Sequence, residues 1–305
     1  MVTSYMPPFS LCLFFLLQTI NSFTILPTST SISFINKQSP PQQRHSKKRV
    51  SKLNMFTGII EEMGTVVSLK ETANLKLWDG TTGKGTELTI KGSVVLQDAY
   101  LGCSIAVNGV CLTASKLPNV LDKSFNPEDP ENLLFTVGLA PETLRLTNLE
   151  QLSYGEKVNL ERASLIGGRN SGHSVQGHID GKGKVIDKWQ DGDSLFLKFQ
   201  TPKTILKYIV KKGFIAIDGT SLTVCDVHRS LKDDGWFTVM LVGYTQNHII
   251  LPEKKVGSEV NLEVDVIGKY AESAVQGMDE RVTLLEEEVR KLKLSCPGHV
   301  VGGKL

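Results

Sequence analysis

Apolar residues follow strand-like patterns through most of the chain after residue 55. The stretches SLFLKF (194–199), WFTVMLV (236–242) and EVNLEVDV (259–266) either alternate apolar with polar residues or are largely apolar. Such patterns over strand lengths indicate β-strands with at least one buried face. Glycine and polar residues that favour turns recur about every ten residues. The pattern therefore predicts an all-β fold whose strands close into a barrel.

Two tight turns are predicted where one short β-branched run meets the next. An Asn-Gly pair lies within IAVNGVCLT (105–113), and an Asp-Gly pair lies within IAIDGTSLT (215–223). Both pairs are strong signals for two-residue β-hairpins. Short helical pieces are expected only near 141–152 and 201–212. Helices should therefore be minor inside the folded domains.

Several segments of the chain recur in the same order. The matching pairs are 56–66 with 175–185, 105–113 with 215–223, 135–143 with 237–245, and 155–161 with 257–263. The last two pairs keep one offset of 102 residues. A repeat of this kind fixes the architecture. We interpret the chain as two homologous domains, 55–164 and 165–269, each long enough to bury its own core.

The tail, residues 270–305, carries a heptad pattern. Apolar residues fall seven apart in two series, which are Val275, Val282 and Val289, and Met278, Leu285 and Leu292. In a parallel coiled coil the pairs Arg281 with Glu286 and Glu288 with Lys293 would attract each other. The seam predicts self-association, and valine at position a with leucine at d nominally favours dimers. The alternative is an amphipathic helix that lies on its own domain.

The first 54 residues have the composition of a targeting sequence. They contain no Asp or Glu, and the first acid of the chain is Glu61. An apolar run at 9–17 is shorter than the roughly 20 residues that a membrane-spanning helix needs and is typical of a secretory signal. Ser/Thr-rich and basic stretches follow at 28–33 and 40–49. We predict a bipartite signal and transit peptide over 1–54 that leads to the plastid (chloroplast) stroma. The alternative is secretion with a disordered basic propeptide.

Charge and cysteine content exclude several functions for residues 55–305. This part carries 28 Lys and Arg against 32 Asp and Glu, a net charge of −4, so no basic surface for nucleic acid is predicted. Cys103, Cys111, Cys225 and Cys296 are too sparse for a disulfide framework or a CxxC metal site. We therefore expect a reducing compartment, no metal, no nucleic-acid partner and no membrane association of the mature protein.

Seven motifs together resemble one enzyme family. They are MFTGIIE, NGVCLT, PETLRLTNL, VNLERA, GHSVQGHID, KGFIAIDGTSLTV and VNLEVDVIGKY, and they cover 55–270 in this order. The chain resembles riboflavin synthase of the alpha-chain type. The stretch MFTG at Met55 is typical of a protein's first residues, and Met55 resembles the usual first residue of this family. The similar segment at 175 would then be the start of the second barrel.

The resemblance implies two six-stranded β-barrels in tandem and a C-terminal helix through which the family usually forms a homotrimer. It implies a transferase that converts two molecules of 6,7-dimethyl-8-ribityllumazine into riboflavin and 5-amino-6-(D-ribitylamino)uracil, the last step of riboflavin biosynthesis. No metal or organic cofactor is implied. Each site would hold two lumazine molecules between the first barrel of one subunit and the second barrel of its neighbour. An association with lumazine synthase is a further implication.

The resemblance also implies substrate contacts on both repeats. In the first repeat the matching positions are Gly58, Ile59, Ile60, Asn108, Cys111, Leu112, Thr113, Gly138, Leu139, Ala140, Pro141, Glu142 and Thr143. In the second repeat they are Gly177, His178, Ile179, Lys212, Ser221, Leu222, Thr223, Met240, Leu241, Val242, Gly243, Tyr244 and Thr245. The sequence departs from the family at VGYTQN (242–247), where many members carry a second PETL-like segment.

The candidate catalytic residues are Cys111, His178, Asp218, Ser221 and Phe56. His178 is the side chain best matched to proton transfer near neutral pH, although a lone histidine is more often structural, and His173 is a weaker candidate. Cys111 would act as a thiolate nucleophile or line the site as a thiol. Asp218 beside a glycine is typical of a turn. Phe56 either shapes the pocket or packs the barrel.

The repeats differ at matching positions, as a reaction between two identical molecules requires. The differing pairs are Ile59 with His178, Asn108 with Asp218, Val110 with Thr220, and Cys111 with Ser221. One lumazine loses four carbon atoms and the other gains them, so unlike pockets are expected. Ordinary drift between duplicated halves is the alternative.

Two other functions are compatible with a double barrel. A non-catalytic lumazine- or flavin-binding protein needs one competent pocket and no assembly, whereas here both repeats keep polar residues and the tail carries a seam. A flavin-dependent reductase would need a nicotinamide-binding segment, and the sequence has no GxGxxG-like loop that opens a helix. These comparisons favour the synthase.

Overall fold

The computed structural model describes residues 56–76, 82–118, 126, 129–165, 167–230 and 234–295. The predicted presequence 1–54, Cys296 and the rest of the tail to 305 lie outside the described residues. Within the described ranges the chain forms twelve β-strands, four α-helices and three short 3₁₀ turns.

The first repeat folds into a closed antiparallel barrel of six strands. They are β1 (Glu62–Lys76), β2 (Thr82–Lys91), β3 (Ser104–Val107), β4 (Val110–Lys116), β5 (Leu134–Leu139) and β6 (Lys157–Arg162). Their order around the barrel is β1-β2-β5-β4-β3-β6. A 3₁₀ turn (Pro130–Leu133) precedes β5, and helix α1 (Pro141–Leu146) and a second 3₁₀ turn (Asn148–Gln151) follow it.

The second repeat forms another closed barrel with the same ring order. Its strands are β7 (Gly181–Asp191), β8 (Ser194–Thr201), β9 (Phe214–Ile217), β10 (Thr220–His228), β11 (Gly235–Leu241) and β12 (Glu259–Val264). Their order is β10-β11-β8-β7-β12-β9. Helices α2 (Lys203–Leu206) and α3 (Gly243–Gln246) and a 3₁₀ turn (Leu251–Glu253) lie between strands. The prediction of two six-stranded barrels is confirmed.

Each barrel buries its own hydrophobic core because its strands alternate inward and outward residues. Along β8, Leu197 and Phe199 point inward and are fully buried. Phe199 stacks on Phe237, with ring centroids 5.3 Å apart. Ile90 and Phe135 belong to the corresponding core of the first barrel. The two cores are separate, so the duplication is one of whole folding units.

The predicted hairpin turns are present and touch each other. Asn108 and Gly109 have φ angles of 46° and 78°, and Asp218 and Gly219 have φ angles of 43° and 81°. Positive φ at both central residues is the type I′ turn that Asn-Gly and Asp-Gly favour. A Cβ atom on Gly109 would lie 2.6 Å from Gly219 N, and one on Gly219 would lie 2.7 Å from Gly109 N. The barrels therefore meet turn against turn.

Helix α4 (Val266–Ser295) leaves the second barrel and carries the predicted seam. Two ion pairs fix its start, because Lys269 Nζ lies 2.8 Å from Asp180 Oδ1 and Lys207 Nζ lies 3.3 Å from Glu272 Oε1. The six seam residues are between 48% and 64% exposed. The chain's own barrels therefore do not cover the seam. None of the helices among the described residues carries an apolar stretch long enough to cross a membrane.

Candidate active site

The opening segments of the two repeats, residues 56–60 and 175–179, run side by side between the barrels. Phe56 N donates to Val175 O at 2.7 Å, and Val175 N donates to Phe56 O at 3.0 Å, which makes an antiparallel bridge. Phe56 is 1% exposed and packs with Val175, Ala106 and Ala216. The structure thus places the candidate Phe56 in the contact between the barrels.

Each opening segment crosses to a strand of the other repeat. Ser221 N donates to Gly58 O at 2.8 Å, and Cys111 N donates to Gly177 O at 2.9 Å. The sequence matches aligned Gly58 with Gly177 and Cys111 with Ser221, and the fold exchanges the partners. The sequence does not reveal this exchange, because contacts between two repeats produce no pattern of apolar and polar residues along the chain.

The exchange brings the predicted substrate-binding segments together in two groups. The first half-site is defined as Cys111–Thr113 together with Gly177–Ile179. The second half-site is defined as Ser221–Thr223 together with Gly58–Ile60. Each half-site therefore combines backbone from both repeats, and a ligand at either one would meet both.

Glycine is required where each opening segment meets its strand. Gly58 and Gly177 have φ angles of 76° and 80°, a region that side chains with a Cβ rarely adopt. A Cβ on Gly58 would lie 2.6 Å from Ser221 Cβ, and one on Gly177 would lie 2.5 Å from Cys111 Cβ. The crossing segments can approach the strands this closely only without a side chain.

Beyond these glycines the two segments present unlike side chains. Ile59 is 45% exposed and His178 is also exposed, whereas Ile60 packs against the core of the second barrel and Ile179 against that of the first. The predicted difference between the repeats, Ile59 in one and His178 in the other, therefore concerns side chains that a ligand can reach.

A buried carboxylate holds the first opening segment. Glu161 on β6 accepts hydrogen bonds from Thr57 N at 2.6 Å, from Thr57 Oγ1 at 2.8 Å and from Gly58 N at 3.0 Å. Its side chain is 4% exposed. We refer to Glu161 and its three donors as the first clasp.

The second opening segment has the same device. Glu263 on β12 accepts from Gln176 N at 2.6 Å, from Gly177 N at 2.9 Å and from His178 N at 2.9 Å. Glu263 is 2% exposed. We refer to Glu263 and these donors as the second clasp. Burial raises the pKa of each clasp carboxyl to about 7, and the hydrogen bonds, which favour the charged form, offset this only in part.

The clasp residues were not among the predicted site residues. The signal that would have found them is the shared VNLE sequence at 158–161 and 260–263, which keeps a glutamate at a strand position where neighbouring apolar residues are buried. A buried carboxylate needs hydrogen-bond partners, and its presence in both repeats indicates that each repeat supplies corresponding partners.

The second half-site contains a histidine–serine pair. Ser221 Oγ and His173 Nδ1 are 2.7 Å apart, and His173 stacks on Phe214 with ring centroids 5.2 Å apart. Burial lowers the pKa of His173, so its imidazole is neutral near pH 7. Lys212 N donates to Val224 O at 2.8 Å, and Lys212, whose side chain is exposed, lies two residues before the start of β9 at Phe214.

The first half-site contains the candidate nucleophile Cys111. Burial raises the pKa of this thiol, a hydrogen bond with Ser104 lowers it, and the charge of Glu263 raises it again. The thiolate is therefore scarce at neutral pH, which favours the lining role over the nucleophilic one. Cys111 is half-buried and packs against the Phe56 cluster.

Asn108 and Asp218 lie in the contact between the barrels. Asn159 N donates to Asn108 Oδ1 and Asn261 N to Asp218 Oδ1, both at 2.8 Å. Across the contact, Asn159 Nδ2 donates to Asp218 O at 2.8 Å and Asn261 Nδ2 to Asn108 O at 2.9 Å. All four residues are buried. This hydrogen-bond network joins the two turns almost symmetrically.

Asp218 is the acidic member of this network. Burial raises its pKa, while Lys254, whose Nζ lies 3.7 Å from Asp218 Oδ2, lowers it. Asn148 Nδ2 also donates to Asp218 Oδ1 at 3.1 Å. The Asp218 side chain therefore faces buried protein groups, whereas Thr223 on β10 of the same hairpin is exposed.

Residues 138–143 and 240–245 lie where β5 and β11 end and helical turns α1 and α3 begin. β4 pairs with β5 at Ala114 and Val137, and β10 pairs with β11 at Val224 and Val239, so both ends adjoin the half-site strands. The divergent VGYTQN segment still forms a helical turn. The exposed residues of these ends are Ala140, Pro141, Glu142, Val242 and Tyr244, and the half-buried ones are Gly138, Thr143, Met240, Gly243 and Thr245.

Four predicted substrate-binding residues point into the barrel cores. They are Leu112, Leu139, Leu222 and Leu241. Only their backbone groups can therefore face a ligand. In the part of the chain that the structure describes, no three His, Cys, Asp or Glu side chains lie together as ligands for a metal ion.

Comparison with known families identifies both repeats. A family model described as "Lumazine binding domain" matches residues 57–163 and 176–265. The riboflavin synthase of Schizosaccharomyces pombe is 44% identical over 223 residues, which are 73% of this chain and 94% of the relative. The riboflavin synthase of Bacillus subtilis is 39% identical over 244 residues, which are 80% of this chain and 100% of the relative.

Solved structures show the same fold. LumP complexed with riboflavin matches with a TM-score of 0.54 at 21% sequence identity, over 69% of this chain and 100% of that chain. LumP complexed with 6,7-dimethyl-8-(1'-D-ribityl) lumazine matches with a TM-score of 0.52 at 21% identity, over 69% of this chain and 99% of that chain. At this identity the likeness concerns the fold.

Proposed function

The chain belongs to the riboflavin synthase family and is a transferase, and from this premise we propose that it converts two molecules of 6,7-dimethyl-8-ribityllumazine into riboflavin and 5-amino-6-(D-ribitylamino)uracil. A four-carbon unit passes from one lumazine to the other. The observation that carries the proposal is the pair of related but unlike half-sites that one chain builds by exchanging its opening segments.

Unlike half-sites suit a reaction in which identical molecules have different fates. The first half-site offers a neutral thiol, Cys111, and an exposed imidazole, His178. The second offers a hydroxyl, Ser221, bonded to the neutral His173, and an apolar Ile59. The two lumazines therefore meet different hydrogen-bonding groups. This difference allows one lumazine to lose the carbon atoms that the other gains.

The first chemical step is removal of a proton from the C7 methyl group of one lumazine. The negative charge spreads into the ring, where preorganised backbone N–H groups stabilise it most effectively. The N–H groups of Gly58, Gly177 and His178 already donate to the clasp carboxylates, so other donors that line the half-sites must stabilise this charge. His178 is the candidate base, because its imidazole is exposed in the first half-site and can accept a proton from the substrate.

We propose that the chain assembles as a homotrimer in which the first barrel of one subunit and the second barrel of its neighbour enclose two lumazines. The exposed seam of α4 supports self-association. Attractive pairs beside the seam, Arg281 with Glu286 and Glu288 with Lys293, support a parallel arrangement. An association with lumazine synthase is part of the same proposal.

We propose that residues 1–54 direct the protein to the plastid stroma. The matched family domain starts at residue 57, and the acid-free, Ser/Thr-rich and basic segment lies before it. Fusion of residues 1–54 to a fluorescent protein should place the fluorescence in plastids. Fluorescence in the secreted fraction would support the alternative of secretion.

The decisive experiment for the activity uses purified protein and the lumazine alone. Riboflavin and the pyrimidine should appear in equal amounts, with two lumazines consumed for each riboflavin and no added cofactor. A non-catalytic lumazine-binding protein would hold the lumazine unchanged. That outcome would reject the proposed reaction.

A further inference from the structure

The two clasps fix both polar backbone groups of the glycines that start the half-sites. Gly58 N donates to Glu161 Oε2 at 3.0 Å while Gly58 O accepts from Ser221 N at 2.8 Å. In the second clasp the corresponding bonds run from Gly177 N to Glu263 Oε2 and from Cys111 N to Gly177 O, both at 2.9 Å. Each crossing segment is therefore suspended between a carboxylate of its own repeat and a strand of the other.

The clasps lie on the faces where the barrels meet. Glu161 pairs with Ala106 across β6 and β3, and Glu263 pairs with Ala216 across β12 and β9. Both alanines belong to the cluster around Phe56. The small alanines leave room for the crossing segments, and the two carboxylates lie beside these segments.

The two clasps differ in how they satisfy one backbone N–H. His178 N donates directly to Glu263 Oε2 at 2.9 Å. Ile59 N, at the matching position, donates to Thr57 Oγ1 at 3.3 Å, and this hydroxyl donates to Glu161 at 2.8 Å. In the first clasp the Thr57 hydroxyl therefore links Ile59, the exposed residue of the segment, to Glu161. We refer to this link as the hydroxyl relay.

We infer that Glu161 and Glu263 are positioning residues for the reaction, each of which sets the placement of one half-site by holding the segment that forms its wall. The inference rests on the proposed function for its catalytic consequence. It also makes a claim about ligand binding that does not require turnover. Neither carboxylate needs to touch the substrate.

A carboxylate suits this role because it accepts several hydrogen bonds and donates none when ionised. Glutamine keeps the shape but turns an NH₂ group toward backbone N–H donors, so at least one bond is lost and the segment shifts. Misplacement of a substrate-positioning group by about 1 Å lowers turnover by about 100-fold. We expect Glu161→Gln and Glu263→Gln to lower kcat by roughly 10- to 100-fold.

The test compares these variants with Glu62→Gln in the full chain. Glu62 is a matched control, because its carboxylate also accepts from backbone N–H groups, those of Ser93 and Val95, and these two residues belong to neither opening segment. Assays near pH 8 keep the clasp carboxyls largely ionised, since their pKa is about 7. The readouts are kcat, KM, riboflavin affinity by fluorescence quenching, and the thermal unfolding midpoint.

The inference predicts that the clasp variants lose kcat or riboflavin affinity at least tenfold relative to Glu62→Gln while all three variants unfold at similar temperatures. Folded clasp variants within about twofold of the control in kcat and affinity would overturn it. If Glu161→Gln fails to fold, Thr57→Val decides for the first clasp, because it removes only the hydroxyl relay; if Glu263→Gln fails to fold, Glu263→Asp, which keeps the charge on a shorter side chain, decides for the second clasp by the same criterion. A folded Thr57→Val protein with unchanged kcat and affinity would overturn the inference for the first clasp. Wild-type protein that binds riboflavin but makes none would reject the proposed reaction, and the affinity comparison would still test the clasps.

Discussion

Two buried carboxyls, Glu161 and Glu263, make stability depend on pH at the scale of single residues. Their pKa is about 7 in the folded protein, against an ordinary value of 4.5. The folded state therefore binds protons that the unfolded chain has already released between these two values. Their contribution to stability is complete below about pH 4.5 and falls as the pH rises to about 7.

We therefore expect the thermal unfolding midpoint of the wild type to fall between about pH 5 and about pH 8. The double variant Glu161→Gln, Glu263→Gln should show a flatter dependence, because glutamine does not titrate, and Glu62→Gln should keep the wild-type slope. Differential scanning calorimetry over this range measures the slopes. Parallel curves for wild type and double variant would contradict the assignment.

Ser221→Ala should reduce turnover more than it reduces stability. The variant loses one hydrogen bond, to His173, which costs about 1 kcal/mol of stability. The second half-site also loses the only hydroxyl that Ser221 offers to the substrate, so turnover falls as well. We expect kcat to fall about tenfold, which is about 1.4 kcal/mol in the barrier. Ser115→Ala is the control, because it removes a serine hydrogen bond on β4, to Thr136 O. Equal turnover in both variants would remove Ser221 from the site.

The sequence indicated most of the half-site residues, but not the groups that hold them. Gly58 and Ser221 were both predicted, as members of similar motifs, yet their contact was not. Glu161 was missed because its role exists only when the crossing segment lies beside β6. A polar residue whose partners are backbone groups about one hundred residues away has no local signal.

At the scale of elements, the hairpin turns were the most predictable parts of the fold. Asn-Gly and Asp-Gly specify type I′ turns through local backbone energetics alone, and both turns formed. The predicted helical piece 141–152 is instead split into α1 and a 3₁₀ turn. Thr147 stands at the break, where its side chain accepts from Leu149 N and donates to Thr143 O. Thr147 is extended and caps the start of the 3₁₀ turn, so the chain begins a new helical turn there and does not continue α1.

Gly109→Ala should destabilise the protein more than Gly155→Ala. Both glycines have positive φ, 78° and 85°, so alanine costs about 1 kcal/mol at either position. Only Gly109 has backbone atoms of the opposite turn within contact, and overpacking adds about 1–3 kcal/mol. Urea denaturation measures both costs. Equal destabilisation would show that the turns do not press against each other in solution.

At the scale of the whole molecule, the repeat predicted two barrels of one design, and the structure confirms them. What the repeat could not predict is their mutual arrangement. That arrangement depends on the Asn159 and Asn261 amides, which bond across the contact, and on the bridge between Phe56 and Val175. Matching residues in two repeats indicate equal roles and say nothing about which copy is the partner.

Deletion of residues 271–305 should weaken assembly and lower activity. The truncation removes the whole exposed seam but keeps Lys269 and its ion pair with Asp180, so the second barrel stays intact. Light scattering should show a smaller species, and activity should fall at least tenfold at submicromolar protein, where mass action favours dissociation. Removal of 296–305 alone is the control. A truncated monomer with full activity would contradict a site shared between subunits.

The crossed opening segments have a consequence for the origin of the chain. The bridge between Phe56 and Val175 is reciprocal, and the bond from Ser221 to Gly58 has its counterpart in the bond from Cys111 to Gly177, as in a pair of identical subunits related by a two-fold axis. Two separate single-repeat proteins would thus have met in the same way before their genes were joined. A protease that cuts the connection between the barrels, near residue 168, would accordingly leave the halves bound to each other.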